Sequence, residues 1–559
     1  MSVIGSETAR ASTSRSVPGL GEASWPEPDR ADGATGGGED ELGAAVPTEI
    51  VVLALVATAV GIVLRFVART PLWLDEALSL NIATLAPDQI LEALRHDGHP
   101  PLYYVLLHYW AAWFGTSDVA VRALSGVFGV AALPLAWIAG RRKGGPVLGW
   151  VFLAVFALSP YALRYSTETR MYALVTLLVL VGYLLVDDVV ARGRASWLRL
   201  VAVGVVSGLL LLTHYWSMWL FGATGLVLAW LAYTRRGDPL APRALKTLVA
   251  MAAGAIVLFG WWAPTMLYQS AHTGTPWADP FRPTVTVSIA LTDLAAASGA
   301  FADAPLLALS AGVLFLLGLF GQATGRDRIE LRLRTVAQFR YEAVTVGLTL
   351  GLGIAFGYLS SSTFASRYAA GVFPLFLLVV AGGITRFGAR VVRSFALVAV
   401  LALSSIGAIH TAFVYQRSQA RQIAGLIADH AAPGDVVVYC PDQLGPSTDR
   451  EIDKLGLDVR QFTYPRSEPP ERVDWVDYAA RNAAGDPQAF ARSVLDVAGD
   501  EHAVFVVWAG TYKTLEGQCE QLVFAISAGR PASRTLVDGE PAKFFEHANL
   551  SWFGPLIPH

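Results

Sequence analysis

The sequence predicts an α-helical polytopic membrane protein of about 11 transmembrane helices, followed by a C-terminal extracytoplasmic α/β domain. Three observations predict this. The 559 residues are 54% hydrophobic and only 16% charged, far from the balance of a soluble chain. The apolar residues collect into runs close to the roughly 20 needed to cross a bilayer. Beyond residue 415 the long runs stop, and short apolar stretches alternate with amphipathic ones, the pattern of an α/β layer structure.

Residues 1–47 are rich in Gly, Ser, Ala, Glu and Asp and hold no apolar segment. They read as a disordered tail, not as a signal peptide, because they lack an apolar central region. Spans follow at Glu49–Val67, Val119–Gly140, Pro146–Leu163, Tyr172–Val190, Leu198–Leu212, Met218–Tyr233, Leu245–Tyr268, Pro305–Gly321, Ala343–Leu359, Tyr368–Ile384 and Ser394–Tyr415. Residues 48–415 thus form the membrane domain, with a long first loop at 68–118. Within that loop, Pro100–Gly115 is apolar but short, begins with two prolines and is rich in Tyr and Trp. That composition suits a helix lying in or re-entering the membrane interface better than a span.

The basic residues decide the orientation. With Pro100–Gly115 left out, alternate loops hold 18 Lys and Arg on one side, beginning with Arg141-Arg142-Lys143, against 8 on the other. The N-terminus is therefore expected in the cytoplasm. The first loop, the segments around Arg170 and Arg367, and the C-terminal domain are expected outside the cell membrane. In residues 416–559, strands are expected at Val436–Tyr439, Val459–Phe462 and Val504–Trp508, and helices at Ala420–His430, Pro487–Val497 and Leu515–Ala528. Asp442 and Asp449 flank a Gly-Pro turn and read as loop residues. There is no glycine-rich phosphate loop, and the net charge of −3 gives no sign of nucleic-acid binding. The only cysteines, Cys440 and Cys519, can form one disulfide in an extracytoplasmic domain or stay as two buried thiols.

The chemistry-bearing residues concentrate on the expected outer side. The acid pair Asp75-Glu76 follows the first span. His96, Asp97 and His99 lie further along that loop. Later loops carry Glu168, Arg170 and Tyr172, then His214, then His272, Trp277, Asp279 and Arg282, then Arg367 and Tyr368. Acids beside a bilayer are costly and mark function by default. A carboxylate against an apolar surface can serve as a general base, and an arginine can clamp phosphate oxygens bidentately. A base and a phosphate clamp at a membrane surface suit sugar transfer from a lipid phosphate. Plainer readings stand beside each. The acids can serve the start of a helix, the arginines can reach toward lipid headgroups, and His214 can anchor at the interface. His96 and His99 can shape the turn before Pro100, or bind a metal with Asp97.

The run Leu-Trp-Leu-Asp75-Glu76-Ala, with His99-Pro-Pro-Leu-Tyr-Tyr104, Val121-Arg122-Ala-Leu-Ser125, Ser159-Pro160, Arg164 to Tyr172 and Ser366-Arg367-Tyr368, resembles the polyprenol-phosphate-sugar glycosyltransferases of the GT-C fold. More narrowly it is similar to the protein O-mannosyltransferase and aminoarabinose-transferase group, over roughly residues 48–415. The resemblance implies an inverting transferase. Its catalytic carboxylate would be Asp75 with Glu76 beside it. Its lipid phosphate would be held by basic residues near the outer ends of later helices, for which Arg367 is the candidate; the outer-loop residues Arg170 and Tyr368 are read with it at the phosphate, and His99, Glu168, Tyr172, His214 and Arg282 as further pocket candidates. Where many relatives carry an Asp before the fourth span, this chain has Glu168-Thr-Arg170. The resemblance implies a polyprenyl-phosphate-sugar donor and a glycan, lipid or protein acceptor. No cofactor is required by the sequence, and a divalent metal is used by only some relatives. It leaves the oligomeric state open. The alternatives are a lipid or glycan transporter, which calls for ionisable residues in mid-span, and an envelope-assembly protein that binds through its C-terminal domain.

Overall fold

A computed structural model describes residues 46–274, 281–297, 304–326, 328–360, 364–510 and 512–557. The expected tail lies almost wholly outside the described residues, as do Trp277 and Asp279.

Among the described residues, six helices are long and apolar enough to cross a membrane: Asp118–Leu158, Tyr172–Ala191, Ser217–Thr234, Leu240–Phe259, Ala337–Leu359 and Arg390–Val414. Shorter apolar helices occupy Thr48–Leu64, Trp197–Thr213, Pro283–Ala296, Ala304–Phe320 and Phe373–Thr385. The stretch Asp118–Leu158 is two spans, because helical geometry is lost at Gly144 and Gly145, and Gly145 has φ 79°. That left-handed conformation favours glycine. The two halves fold back on each other: a Cβ on Gly140 would lie 2.8 Å from the Leu148 carbonyl oxygen.

Three expected spans are shorter than their hydropathy suggests, and proline chemistry accounts for the breaks. The third stops at Leu158, and Pro160 starts a separate helix, Pro160–Ser166. The seventh breaks after Phe259 and resumes as Ala263–His272 with Pro264 in its first turn. The tenth starts at Phe373 with Pro374 next to it, because Ser366–Gly371 forms a tight 3₁₀ turn. The helix Pro283–Ala296 was not expected at all.

The first loop folds into three helices: Leu74–Ala83, which holds the acid pair and is called the acid helix below, Pro87–Asp97 and Leu102–Phe114. The last has 13 residues, about 20 Å of helix, too short for a bilayer. It buries Tyr103, Tyr104 and Leu107 and exposes Tyr109, Phe114 and Trp113, the last at 78%. This one-sided apolar display suits a helix lying in the interface.

The C-terminal region begins with a parallel two-stranded ribbon, Gln416–Ser418 with Phe544–Glu546. A five-stranded sheet follows, in the order Arg460–Thr463, Val436–Cys440, Val504–Trp508, Asn549–Phe553, Ser533–Val537. The first three strands are parallel; Asn549–Phe553 runs antiparallel between Val504–Trp508 and Ser533–Val537, which run in the same direction. Side-chain alternation sorts the core into two layers. Val436, Val438, Val504 and Val506 meet Phe490, Val494, Leu522 and Ile526 from helices Pro487–Ala498 and Gln518–Gly529. Val437, Tyr439, Phe505 and Val507 meet Ile423, Ile427 and Ile452. Cys440 and Cys519 are joined in a disulfide. The expected Gly-Pro turn instead opens helix Gly445–Leu455, with Pro446 in its first turn, and Asp449 lies on that helix.

Close helix contact shows most clearly where Ala304–Phe320 meets Phe373–Thr385. A Cβ on Gly383 would lie 1.9 Å from the Leu314 carbonyl oxygen, and one on Gly318 2.4 Å from that of Val379. Small residues let membrane helices approach in this way. Replacing Gly383 by Ala is expected to lower stability by about 1–3 kcal/mol. This would be read as a lower melting temperature of the solubilised protein, and Gly347→Ala, which meets open space, serves as the control.

Candidate active site

Successive residues of a helix point about 100° apart, so the neighbours Asp75 and Glu76 cannot face the same way. Both lie in the first turn of the acid helix, where the positive end of the helix dipole favours them.

Glu76 turns inward and is 0% exposed. Arg122 grips it with both nitrogens of its fork, Nε to Oε1 at 2.7 Å and Nη2 to Oε2 at 2.5 Å. Thr169 donates its backbone N–H at 2.9 Å and Arg417 its Nη1 at 3.3 Å. Burial alone would push the carboxyl up. The charges of Arg122 and Arg417 override it and hold the group below the ordinary carboxylate range. The resemblance makes Glu76 a catalytic candidate; the structure places it in a closed ion cluster with its lone pairs taken.

Asp75 turns the other way. Its side chain is 16% exposed, and Oδ2 lies 3.7 Å from Arg170 Nη2 and 3.9 Å from Arg367 Nη2. Both distances exceed a hydrogen bond, so two guanidinium groups face the carboxylate without bonding it directly.

A relay of bonds orients Arg170. Nη1 donates to Ser79 Oγ at 2.9 Å, and Nη2 donates to His99 Nε2 at 2.7 Å. With Nε2 as acceptor, the proton of His99 sits on Nδ1, which donates to Asp97 Oδ2 at 2.8 Å. Tyr104 donates its hydroxyl to the same oxygen at 2.7 Å. Burial pushes the Asp97 carboxyl up, but His99, Arg170 and Tyr104 together bring it below its usual value.

The remaining wall is aromatic. Arg367 lies over the Trp73 ring, 5.7 Å from its centroid. Tyr368 stacks on Trp216 at 4.8 Å. His214 sits between Tyr172 and Tyr368, with ring centroids at 5.5 and 5.4 Å. Burial drives His214 well below its ordinary pKa, so it is a neutral wall residue. Among the described residues, none hydrogen-bonds the buried hydroxyl of Tyr172.

The other candidates are placed differently. Glu168 is buried 3.9 Å from Arg164. Burial, with Glu76 and Asp75 adding repulsion, pushes its carboxyl up despite Arg164 and Arg417. Arg282 is not brought to these residues: it is exposed, just ahead of helix Pro283–Ala296. His96 and His99 diverge, His96 pairing with Asp474 at 3.1 Å. Among the described residues no group of three or more His, Cys, Asp or Glu is arranged to hold a metal ion.

Arg122, Arg417, Asp97 and Tyr104 were not expected in these roles, Arg122 being noted only within a motif. Arg417 lies 341 residues beyond Glu76, so no local signal linked them. Asp97 and Tyr104 sat in noted motifs, but their tie to Arg170 depends on the packing of the first-loop helices.

No protein-family model matches the chain, and no curated protein sequence matches it. Solved structures do. The crystal structure of ArnT from Cupriavidus metallidurans bound to undecaprenyl phosphate aligns with a TM-score of 0.52, at 12% identity, over 90% of this chain and 97% of that one. Its apo form aligns at 0.53 and 11%, with the same coverage. The chain has the GT-C fold. The GT-C architecture puts the bundle in the membrane as a multi-pass protein, in agreement with its six long apolar helices.

Because the Glu76 carboxyl lies below its unfolded-state pKa, its contribution to stability is complete at neutral pH. It is lost as pH falls through and below the ordinary carboxylate range. Arg122→Ala, which strands that charge, is expected to cost about 3–5 kcal/mol. Thermal melting of the purified protein should show a large loss at pH 7 and a smaller difference from wild type in acid. Asp75→Asn should melt like the parent.

Proposed function

We propose that this protein is a membrane glycosyltransferase that moves a sugar from a polyprenyl-phosphate donor to an acceptor on the extracytoplasmic face of the cell membrane. The observation that carries the reading is Asp75. It is a partly exposed carboxylate faced by Arg170 at 3.7 Å and Arg367 at 3.9 Å, both beyond hydrogen-bond distance. The GT-C fold supports it, as does the ArnT structure, which holds undecaprenyl phosphate. The excess of basic residues in the opposite loops supports the orientation, with the N-terminus in the cytoplasm and the C-terminal region outside.

In this mechanism Asp75 takes the proton of an acceptor hydroxyl or amine. The acceptor attacks the anomeric carbon from the face opposite the phosphate. The C–O bond to phosphate breaks, its electron pair leaves with the lipid phosphate, and the configuration inverts. Arg170 and Arg367 stabilise the charge on the departing phosphate, since guanidinium groups meet phosphate oxygens in a fixed fork and stay protonated. The relay Asp97–His99–Arg170 holds one guanidinium in place, and Tyr368 lies against the other at 5.7 Å. The acceptor is a glycan, lipid or protein, and no step requires a metal.

Asp75→Asn preserves shape and removes the base. It is expected to lower transfer by about 10²-fold or more, with unchanged melting and membrane insertion. Transfer is measured as the loss of sugar from polyprenyl-phosphate sugars by the full-length protein in nanodiscs. Full activity in this variant would overturn the assignment. Arg367→Lys keeps the charge but loses the fork, and is expected to cost about tenfold or more at the same step.

A further inference from the structure

The acid helix begins without a cap of its own. Trp73 stands in the capping position, and its side chain accepts no backbone N–H. Helix starts leave their first N–H groups in need of partners. Here one partner comes from 472 residues away: Glu546 Oε1 accepts the Leu74 N–H at 3.1 Å. Glu546 ends a strand of the ribbon and pairs in register with Ser418. Its neighbour Phe545 meets Trp73 edge to face, with centroids 5.2 Å apart. From the paired strand, Arg417 reaches Glu76. The ribbon thus grips the residues on either side of Asp75: the backbone of Leu74 and the side chain of Glu76.

We propose that Glu546 is a positioning residue, a carboxylate supplied by the C-terminal region that caps the acid helix in trans and fixes the direction of Asp75. The proposal rests on the glycosyl-transfer reading of Asp75. An anion at a helix N-terminus is favoured by the dipole as well as by the hydrogen bond, so the ionised carboxylate is the stronger cap. Burial pushes the Glu546 carboxyl up to about 7, against the hydroxyls of Ser418 and Ser447 and the Leu74 N–H, while the charge of Asp75 adds to the rise.

The other charged groups on the elements around it are engaged elsewhere. Arg417 holds Glu76. On helix Gly445–Leu455, Arg450 and Lys454 face Asp118, Glu451 faces Arg421, and Asp449 accepts from Gln461. On its own segment, His547 follows it in sequence.

The test uses the full-length protein in nanodiscs, polyprenyl-phosphate pentose and hexose as donors, and envelope extract as the acceptor source. Two quantities are read: release of polyprenyl phosphate, and hydrogen exchange at the amides of Leu74 to Ala77. Glu546→Ala is expected to lower kcat by about tenfold or more, to leave the donor KM within about twofold, and to speed exchange about tenfold. Glu546→Gln keeps an oxygen for the Leu74 N–H. It is expected to retain most of the amide protection and to bring kcat back to within about threefold of wild type. Full kcat in Glu546→Ala, or a loss in Glu546→Gln as large as that in Glu546→Ala, overturns the proposal. If wild type releases polyprenyl phosphate from neither donor, the transferase reading fails. Amide exchange then decides the cap alone, and unchanged exchange in Glu546→Ala overturns it.

Discussion

The carboxylate of Glu76 has no contact with water, and its charge is balanced only when three distant parts of the chain arrive together. Arg122 comes from 46 residues away, the N–H of Thr169 from 93 and Arg417 from 341. A buried ion without partners costs several kcal/mol, so any arrangement that leaves one of these segments out is penalised. The cluster therefore fixes the first loop, the second span, the Glu168–Arg170 turn and the membrane exit of the last helix relative to one another. Arg417 tightens this further by donating to the Thr167 carbonyl at 2.6 Å and to its hydroxyl at 2.8 Å.

Asp75 is defined by the same constraint, through helix geometry. Once Glu76 is held inward, its neighbour is rotated about 100° away. Ser79, one turn on, shares the face of Asp75, and Arg170 Nη1 binds its hydroxyl. The guanidinium that faces Asp75 is thus registered against the helix that carries Asp75. The two adjacent acids meet different surroundings, Glu76 a closed ion cluster and Asp75 two guanidinium groups beyond bonding distance, and the division follows from which partners each direction meets.

Features set by local sequence were legible without the structure. All eleven expected spans coincide with helices, because crossing a bilayer demands a long apolar run that no tertiary contact can replace. The demotion of Pro100–Gly115 followed from counting charges in loops. Asp75, Arg170, His99, Tyr172, His214, Arg367 and Tyr368 are candidates by residue type and loop, and the structure joins them in one chain of contacts. What escaped depends on long-range packing. Nothing near Arg417 or Glu546 distinguishes them from ordinary polar residues of an α/β layer, and Arg282 looked equivalent to Arg367 because both are basic residues next to a helix. The span ends were misjudged at Pro160, Pro264 and Pro374, where hydropathy continues but the backbone cannot.

The C-terminal region is built into the site, and its sheet topology explains how. In an open α/β sheet the order of strands reverses at one crevice, and ligands settle beyond the carboxyl ends of the strands there. In this sheet the crevice lies between Val436–Cys440 and Val504–Trp508, since Arg460–Thr463 sits on the far side of the first. The segments that follow those strands carry Asp442, Gln443 and Tyr512. Tyr512 bonds Gln443, and Tyr478 bonds Asp442 at 2.5 Å. Tyr478 and Tyr512, with Val473 and Trp475, pack against Trp73, Leu74 and Leu78. The place that such a sheet usually offers to a ligand is taken by one face of the acid helix. Helix Gly445–Leu455 also borders the acid helix, and Asn81 ties its far end to the Glu471 carbonyl at 2.7 Å. A helix of 10 residues is marginal in isolation. This one is stable because a membrane bundle grips one side and an α/β layer grips the other, and the direction of Asp75 is set by both.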